Sequence, residues 1–122
     1  MILGYQDFYY NVQDLNRAVR FYESAFGLKT YYANEHWVSL GIGDLKLGLH
    51  WTEGSPVPKN PRDSHGSHCG GTLTFRSTDV NGDRLKIEAA GGKILSASVQ
   101  PWGEMLVFED LDGNVLKLMN PK

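Results

Sequence analysis

The feature that most constrains this chain is that it says the same thing twice. Phe8, Tyr10 and Val12 alternate with Asp7, Tyr9 and Asn11, the period of a half-buried strand. Asp14 then stands as a helix N-cap before Leu15, Ala18, Val19, Tyr22 and Phe26, which recur at helical spacing, and Gly27 sits where a left-handed closing residue is wanted. Strand patterns follow at residues 29–33, 37–42 and 45–51. The second copy opens on Leu73 to Phe75, caps a helix at Asp79, runs through Val80, Leu85, Ile87 and Ala90, and ends at Gly91-Gly92. Strand patterns at 93–98, 105–108 and 115–119 complete it. Asp14 to Asp79 is 65 residues, as is Gly27 to Gly92. The order predicts an α+β fold of two tandem βαβββ modules, about 1–51 and 72–122, with a connector at 52–71. Gly82 weakens the second helix by its propensity alone.

Both copies end in a reversal and an alternating strand, Leu45-Lys46-Leu47 after Gly43-Asp44 and Leu116-Lys117-Leu118 after Asp112-Gly113-Asn114. Matching these tripeptides places one lysine at the same point of each copy. Their separation of 71 residues gives the second copy about six extra, expected around Gln100 to Glu104. The leucines need the helix-packed core, so the alternation turns Asp7, Tyr9, Asn11, Lys46, Gly48 and His50 to the other face of the first module. In the second it turns Thr72, Thr74, Arg76, Val115, Lys117 and Met119 the same way. A register one residue off would put both lysines in solvent and line the cavity with leucines instead.

Composition narrows the function. At 122 residues the chain is one domain by size and buries enough surface to fold without staples. Cys69 is the single cysteine, so no internal disulfide forms. A formal net charge of −2 with dispersed lysines and arginines gives no basic stripe for nucleic acid. No apolar run approaches a membrane span and the first residues lack a signal-peptide pattern, so a cytoplasmic location is expected. The connector carries three prolines and four glycines, and is either a lid over a site or a plain surface loop.

The paired modules, V-x-D-L running into R-A-V-R-F-Y, the W-G-E before a strand, and D-L-D-G-N at the last hairpin together resemble the vicinal oxygen chelate superfamily. This group spans glyoxalase I, extradiol dioxygenases, fosfomycin-resistance thiol transferases and bleomycin-resistance proteins. The resemblance covers nearly the whole chain and implies a cupped mixed sheet. It also implies a homodimer with pockets at or near the subunit interface. In metal-dependent members, a ligand comes from the first and the last strand of each module. Those places fall here on Asp7 and Thr72, and on Lys46 and Lys117. Two ammonium groups repel a divalent cation, so the resemblance and the residues together predict that no metal binds.

The expected function is metal-independent binding of a small organic ligand, anionic or aromatic, in the cupped sheet, as in bleomycin-resistance proteins. Lys46, Lys117 and Arg76 would recognise charge, Asp7 and Thr72 would orient polar groups, and Tyr9, Trp37 and Trp102 would stack. The bland counterparts are an ion pair between Asp7 and a lysine, and aromatics that serve core or dimer packing. His50 is the candidate general base. The alternative is an enzyme, a metal-dependent lyase, isomerase, thiol transferase or dioxygenase holding one divalent ion through displaced ligands such as Asp7, His50 and Glu104. His65, His68 and Cys69 have metal-like spacing but lie in the connector without a second pair. Trp51 is expected to close the core and His36 to be a turn residue.

Overall fold

The computed structural model describes residues 1–62 and 70–122, so His65, His68 and Cys69 lie outside the described residues. The first module is β1 (Phe8–Val12), α1 (Leu15–Phe26), β2 (Lys29–Ala33), β3 (Trp37–Ile42) and β4 (Leu45–Trp51). The second is β5 (Leu73–Arg76), α2 (Val80–Ala89), β6 (Lys93–Gln100), β7 (Gly103–Glu109) and β8 (Val115–Pro121). Each module makes a four-stranded mixed sheet, ordered β1-β4-β3-β2 and β5-β8-β7-β6, with the first strand parallel to the last and the other pairings antiparallel. The parallel pairing requires the helical crossover that each module contains.

Both helices start by the same device. The Asp14 side chain accepts from the Arg17 amide at 3.1 Å, and Asp79 accepts from the Gly82 amide at 3.0 Å. Gly82 has a further reason to be glycine: a Cβ there would overlap the Asp79 carboxylate that caps the helix. Ala18, Phe21, Tyr22 and Ala25 are buried along α1, while α2 buries Val80 and Ile87. Leu85, expected with them, is 69% exposed. At about 100° per residue it lies roughly 140° around the helix from Val80, whereas Ile87 returns to the same side.

Gly27 (φ 67°) closes α1 in the left-handed region, and its amide donates to the Glu23 carbonyl at 2.9 Å. Its counterpart is Gly91 (φ 101°), not Gly92, because α2 is two residues shorter than α1. From there the copies run 64 residues apart. The edge strands carry matching bulges, between Thr30 and Tyr32 and between Ile94 and Ser96. Most of the extra length of the second copy lies where it was expected, in the β6–β7 hairpin spanning Gln100 to Glu104: Ala33 pairs with Val38, but its counterpart Ala97 pairs with Leu106, four residues farther on. The turn from 110 to 114 adds one more, since Gly41 pairs with Lys46 and Glu109 with Val115.

The strand registers also decide which lysine matches what. Phe8 and Leu73 each lie six residues before their capping aspartate, and they pair with Leu47 and Leu116. Leu47 and Leu116 are therefore equivalent, and so are Gly48 and Lys117, the partners of Tyr9 and Thr74. Lys46 corresponds to Val115. The tripeptide match between the copies is thus out by two residues, which preserves strand parity and is invisible to a reading based on alternation alone.

Tyr22, Leu40, Leu47, Leu49, Ile87, Leu106, Phe108 and Leu116 are fully buried in one core that both modules share. Burying one such side chain contributes about 1.5–3 kcal/mol. Phe26 of α1 stacks on Phe75 of β5 with ring centroids 4.6 Å apart and also meets Phe108. The Tyr10 hydroxyl donates to the Val115 carbonyl at 2.9 Å and accepts from the Leu73 amide at 3.2 Å. Burial pushes that phenol up to about 12. Trp51 is half-buried and outside this core. Its indole N–H donates to the Gln13 carbonyl at 3.1 Å and its ring lies 5.4 Å from His36, so it fastens the end of β4 to the loop after β1.

Candidate functional site

With the leucines of β4 and β8 turned to the helices, the opposite faces of the sheets are open along most of their length; on the second, Val115 is buried in a hollow shared with Lys59, Asn60 and Arg62. On the first module that face carries Tyr9 and Asn11 from β1, Trp37 and Ser39 from β3, and Lys46, Gly48 and His50 from β4. Three of these form a ring cluster. Tyr9 and Trp37 have centroids 5.5 Å apart, and His50 lies 6.4 Å from each. Their packing depends on Gly48, where a Cβ would overlap the Trp37 indole, so the indole lies directly over the backbone of β4. Its Nε1 donates to the Ser39 hydroxyl at 2.7 Å, fixing the ring on the sheet. Tyr9 is 53% exposed, so the cluster is a shelf open to solvent and not a closed core. Lys46 is exposed on the same face of β4, four residues before His50, roughly 13 Å along the strand.

On the second module, Thr74 and Arg76 of β5 are exposed, and Lys117 and Met119 of β8 are half-buried beside them. Thr72 and Asp7 are half-buried at the strand entrances. Among the described residues, Asp7 makes no ion pair with Lys46 or Lys117; the three ion pairs present are His36–Glu53, Lys59–Glu109 and Arg84–Glu88. Trp102, 47% exposed, sits in the turn between β6 and β7, in the other module from Trp37. Glu104 shares its face of β7 with the buried Leu106 and lies in a cleft with Val80, Asn81 and Arg84 of α2. It therefore points away from the open face that carries Asp7 and His50, and the displaced trio Asp7, His50 and Glu104 is not brought together.

A network behind the shelf was missed at the level of sequence. Asp110, 5% exposed, accepts from the Tyr22 hydroxyl at 2.6 Å, from the Asn114 side chain at 3.0 Å, and from the amides of Asp112 and Asn114 at 2.9 Å. Burial raises its carboxyl above the ordinary value, and these hydrogen bonds oppose that rise. Burial and the neighbouring carboxylate hold the Tyr22 phenol well above its ordinary range. Asn114 also donates to the Asn11 carbonyl at 2.9 Å, and Asn11 Oδ1 lies 3.0 Å from His50 Nδ1. The D-L-D-G-N turn of the second module thus holds a strand of the first. The motif pointed to a hairpin, but nothing in the one-dimensional pattern paired it with Asn11. Ser39 could have been found, since it shares parity with Trp37.

The donor chemistry does not fit a divalent ion at the places where the resemblance puts metal ligands. Lys46 and Lys117 offer ammonium groups, and the register makes Gly48, with no side chain, the true counterpart of Lys117. No group of three or more His, Cys, Asp or Glu side chains is gathered among the described residues.

Two βαβββ modules sharing one core, each with a sheet face turned away from the helices, define the class of fold. The glyoxalase/bleomycin resistance protein/dioxygenase superfamily model matches residues 4–118, and the chain belongs to that superfamily. Comparison with curated proteins gives no match. Among solved structures, the fosfomycin resistance protein FosX from Listeria monocytogenes is 21% identical with a TM-score of 0.77, covering 100% of this chain and 96% of that one. FosX from Mesorhizobium loti is 21% identical with a TM-score of 0.72, covering 100% and 95%. A hypothetical protein from S. aureus is 21% identical with a TM-score of 0.76, covering 98% and 94%. One form of the Listeria protein is a complex with Mn(II) and 1S,2S-dihydroxypropylphosphonic acid. These likenesses establish the fold.

Proposed function

We propose that this protein binds a small planar organic anion on its open face, without a metal ion, in the manner of a sequestering protein. The observation that carries the reading is the Trp37 indole laid over Gly48 with Tyr9 and His50 beside it and Lys46 on the same face. Such a shelf offers stacking area at low conformational cost, and Lys46 and Lys117 supply positive charge to a carboxylate or phosphate. Asp7 stands at the entrance to β1 beside the shelf, Thr72 and Arg76 offer polar groups from the second module's face, and Trp102 is an outlying aromatic. A homodimer covering the open faces completes the proposal, with the protein acting in the cytoplasm. Among the described residues no helix is long and apolar enough to cross a membrane.

The test uses 2-naphthoate as probe. Nuclear magnetic resonance of the three indole N–H groups, with the Trp37 signal assigned through Trp37→Phe, reads the shelf directly. Naphthoate is expected to shift the Trp37 signal at micromolar to millimolar concentration. Lys46→Met combined with Lys117→Met is expected to weaken binding about tenfold, the order for one exposed and one half-buried charge contact. An unmoved Trp37 signal, or affinity untouched by the double substitution, contradicts the proposal. So does one divalent ion per chain retained after dialysis and quantified by elemental mass spectrometry. Light scattering at twice the chain mass is the expected outcome for the dimer.

A further inference from the structure

We infer that His50 presents an unprotonated Nε2 on the open face, so that the shelf selects fused aromatic acids carrying an O–H or N–H donor, a class typified by a bicyclic phenol carboxylate. This rests on the binding proposed above and adds the chemical class that it selects. His50 Nδ1 lies 3.0 Å from Asn11 Oδ1, and an amide oxygen only accepts, so Nδ1 carries the ring's proton. A neutral imidazole has one N–H, which leaves the lone pair on Nε2. No described residue donates to Nε2.

The backbone that carries Asn11 beside His50 is itself held. The Asn11 backbone oxygen accepts from the Asn114 side chain, which also donates to the buried Asp110 carboxylate. The chain of contacts runs from the core of the second module to the imidazole edge of the first. A ligand stacked on Trp37 therefore meets a fixed acceptor at the His50 end and a cation at the Lys46 end. The roughly 13 Å of strand between them exceeds a single substituted ring. Two fused rings, with the lysine stem leaning along the strand, cover it. Placing a methyl ether opposite Nε2 instead of a hydroxyl leaves that acceptor without its water and without a partner, which is the larger penalty.

The experiment is calorimetric titration with 6-hydroxy-2-naphthoate, 6-methoxy-2-naphthoate and 2-naphthoate, together with long-range 1H–15N spectra of the free protein. The hydroxy acid is expected to bind about tenfold more tightly than the methoxy acid, and His50→Phe to bring that ratio to about one. The His50 ring is expected as the Nδ1–H tautomer, and Asn11→Ala to mix the tautomers and lower the ratio. Equal affinities for the hydroxy and methoxy acids, with the Trp37 signal still shifted, overturn this inference and leave the proposed binding standing. An Nε2–H tautomer in the free protein also overturns it. Failure of all three naphthoates to bind overturns both.

Discussion

Replacing Tyr22 by Phe removes one hydroxyl from the core and leaves its volume nearly unchanged. The lost interaction is the 2.6 Å donation to Asp110, a carboxylate that is 5% exposed. A hydrogen bond to a charged group contributes about 1.5–3 kcal/mol, and Asp110 keeps its three other donors, so the expected cost near neutral pH is about 2 kcal/mol. For a chain of this length that lowers the melting temperature by roughly 5–10 °C. The pH dependence is a sharper test than the magnitude. Asp110 already titrates above its ordinary 3.8 because burial disfavours its charge, and the Tyr22 hydroxyl is the largest of the influences pulling it down. Without that hydroxyl the folded-state pKa climbs further. A carboxyl whose folded pKa lies above its unfolded value destabilises most when charged, and the cost is relieved as pH falls through the folded pKa. Relief begins at a higher pH in the variant than in the parent. The destabilisation should therefore shrink on acidification, toward the about 1 kcal/mol of a neutral hydrogen bond. Urea unfolding of both proteins at pH 7.5 and at pH 5 checks this. A loss below about 0.5 kcal/mol at pH 7.5, or one that grows at pH 5, would refute the reasoning.

Two glycines give further tests. Gly82→Ala in an ordinary helix interior gains about 1 kcal/mol of propensity, but here the new methyl meets the capping carboxylate of Asp79, so denaturant unfolding should find the variant no more stable than the parent, or less stable. Gly48→Ala should displace the Trp37 indole at a cost of about 1–3 kcal/mol, alter the near-ultraviolet circular dichroism, and abolish the naphthoate-induced Trp37 shift; an unchanged near-ultraviolet spectrum would mean that the indole does not rest on β4.

Much of the architecture was legible because it rests on local chemistry. Asp14 and Asp79 cap, Gly27 closes, and the alternation of β1, β4 and β8 sorts leucines from lysines whatever the rest of the chain does. Registers were not legible, since they depend on turn lengths that the pattern does not measure. The lysine match was out by two residues because alternation does not distinguish positions two apart, and only strand pairing shows that Lys46 corresponds to Val115. Leu85 was misplaced because an apolar side chain was counted without its angle, and Trp51 because parity with Leu45, Leu47 and Leu49 was taken for burial at the very end of the strand. For the site, parity identified the open-face residues of the first module. That Trp37 comes to lie over Gly48, and that Asn114 reaches Asn11 across 103 residues, are tertiary facts with no signature in either segment.

The exchange of Gly48 for Lys117 at matching points bears on how the proposed ligand would sit. A duplicated scaffold whose two halves kept identical surfaces would offer a bound molecule two interchangeable poses, head to tail and tail to head, of equal energy. Here both modules keep the same helix caps while the faces turned from the helices differ, a bare backbone roofed by indole in one half and an ammonium in the other. With unlike halves that degeneracy is gone, and the proposed ligand would have one preferred direction.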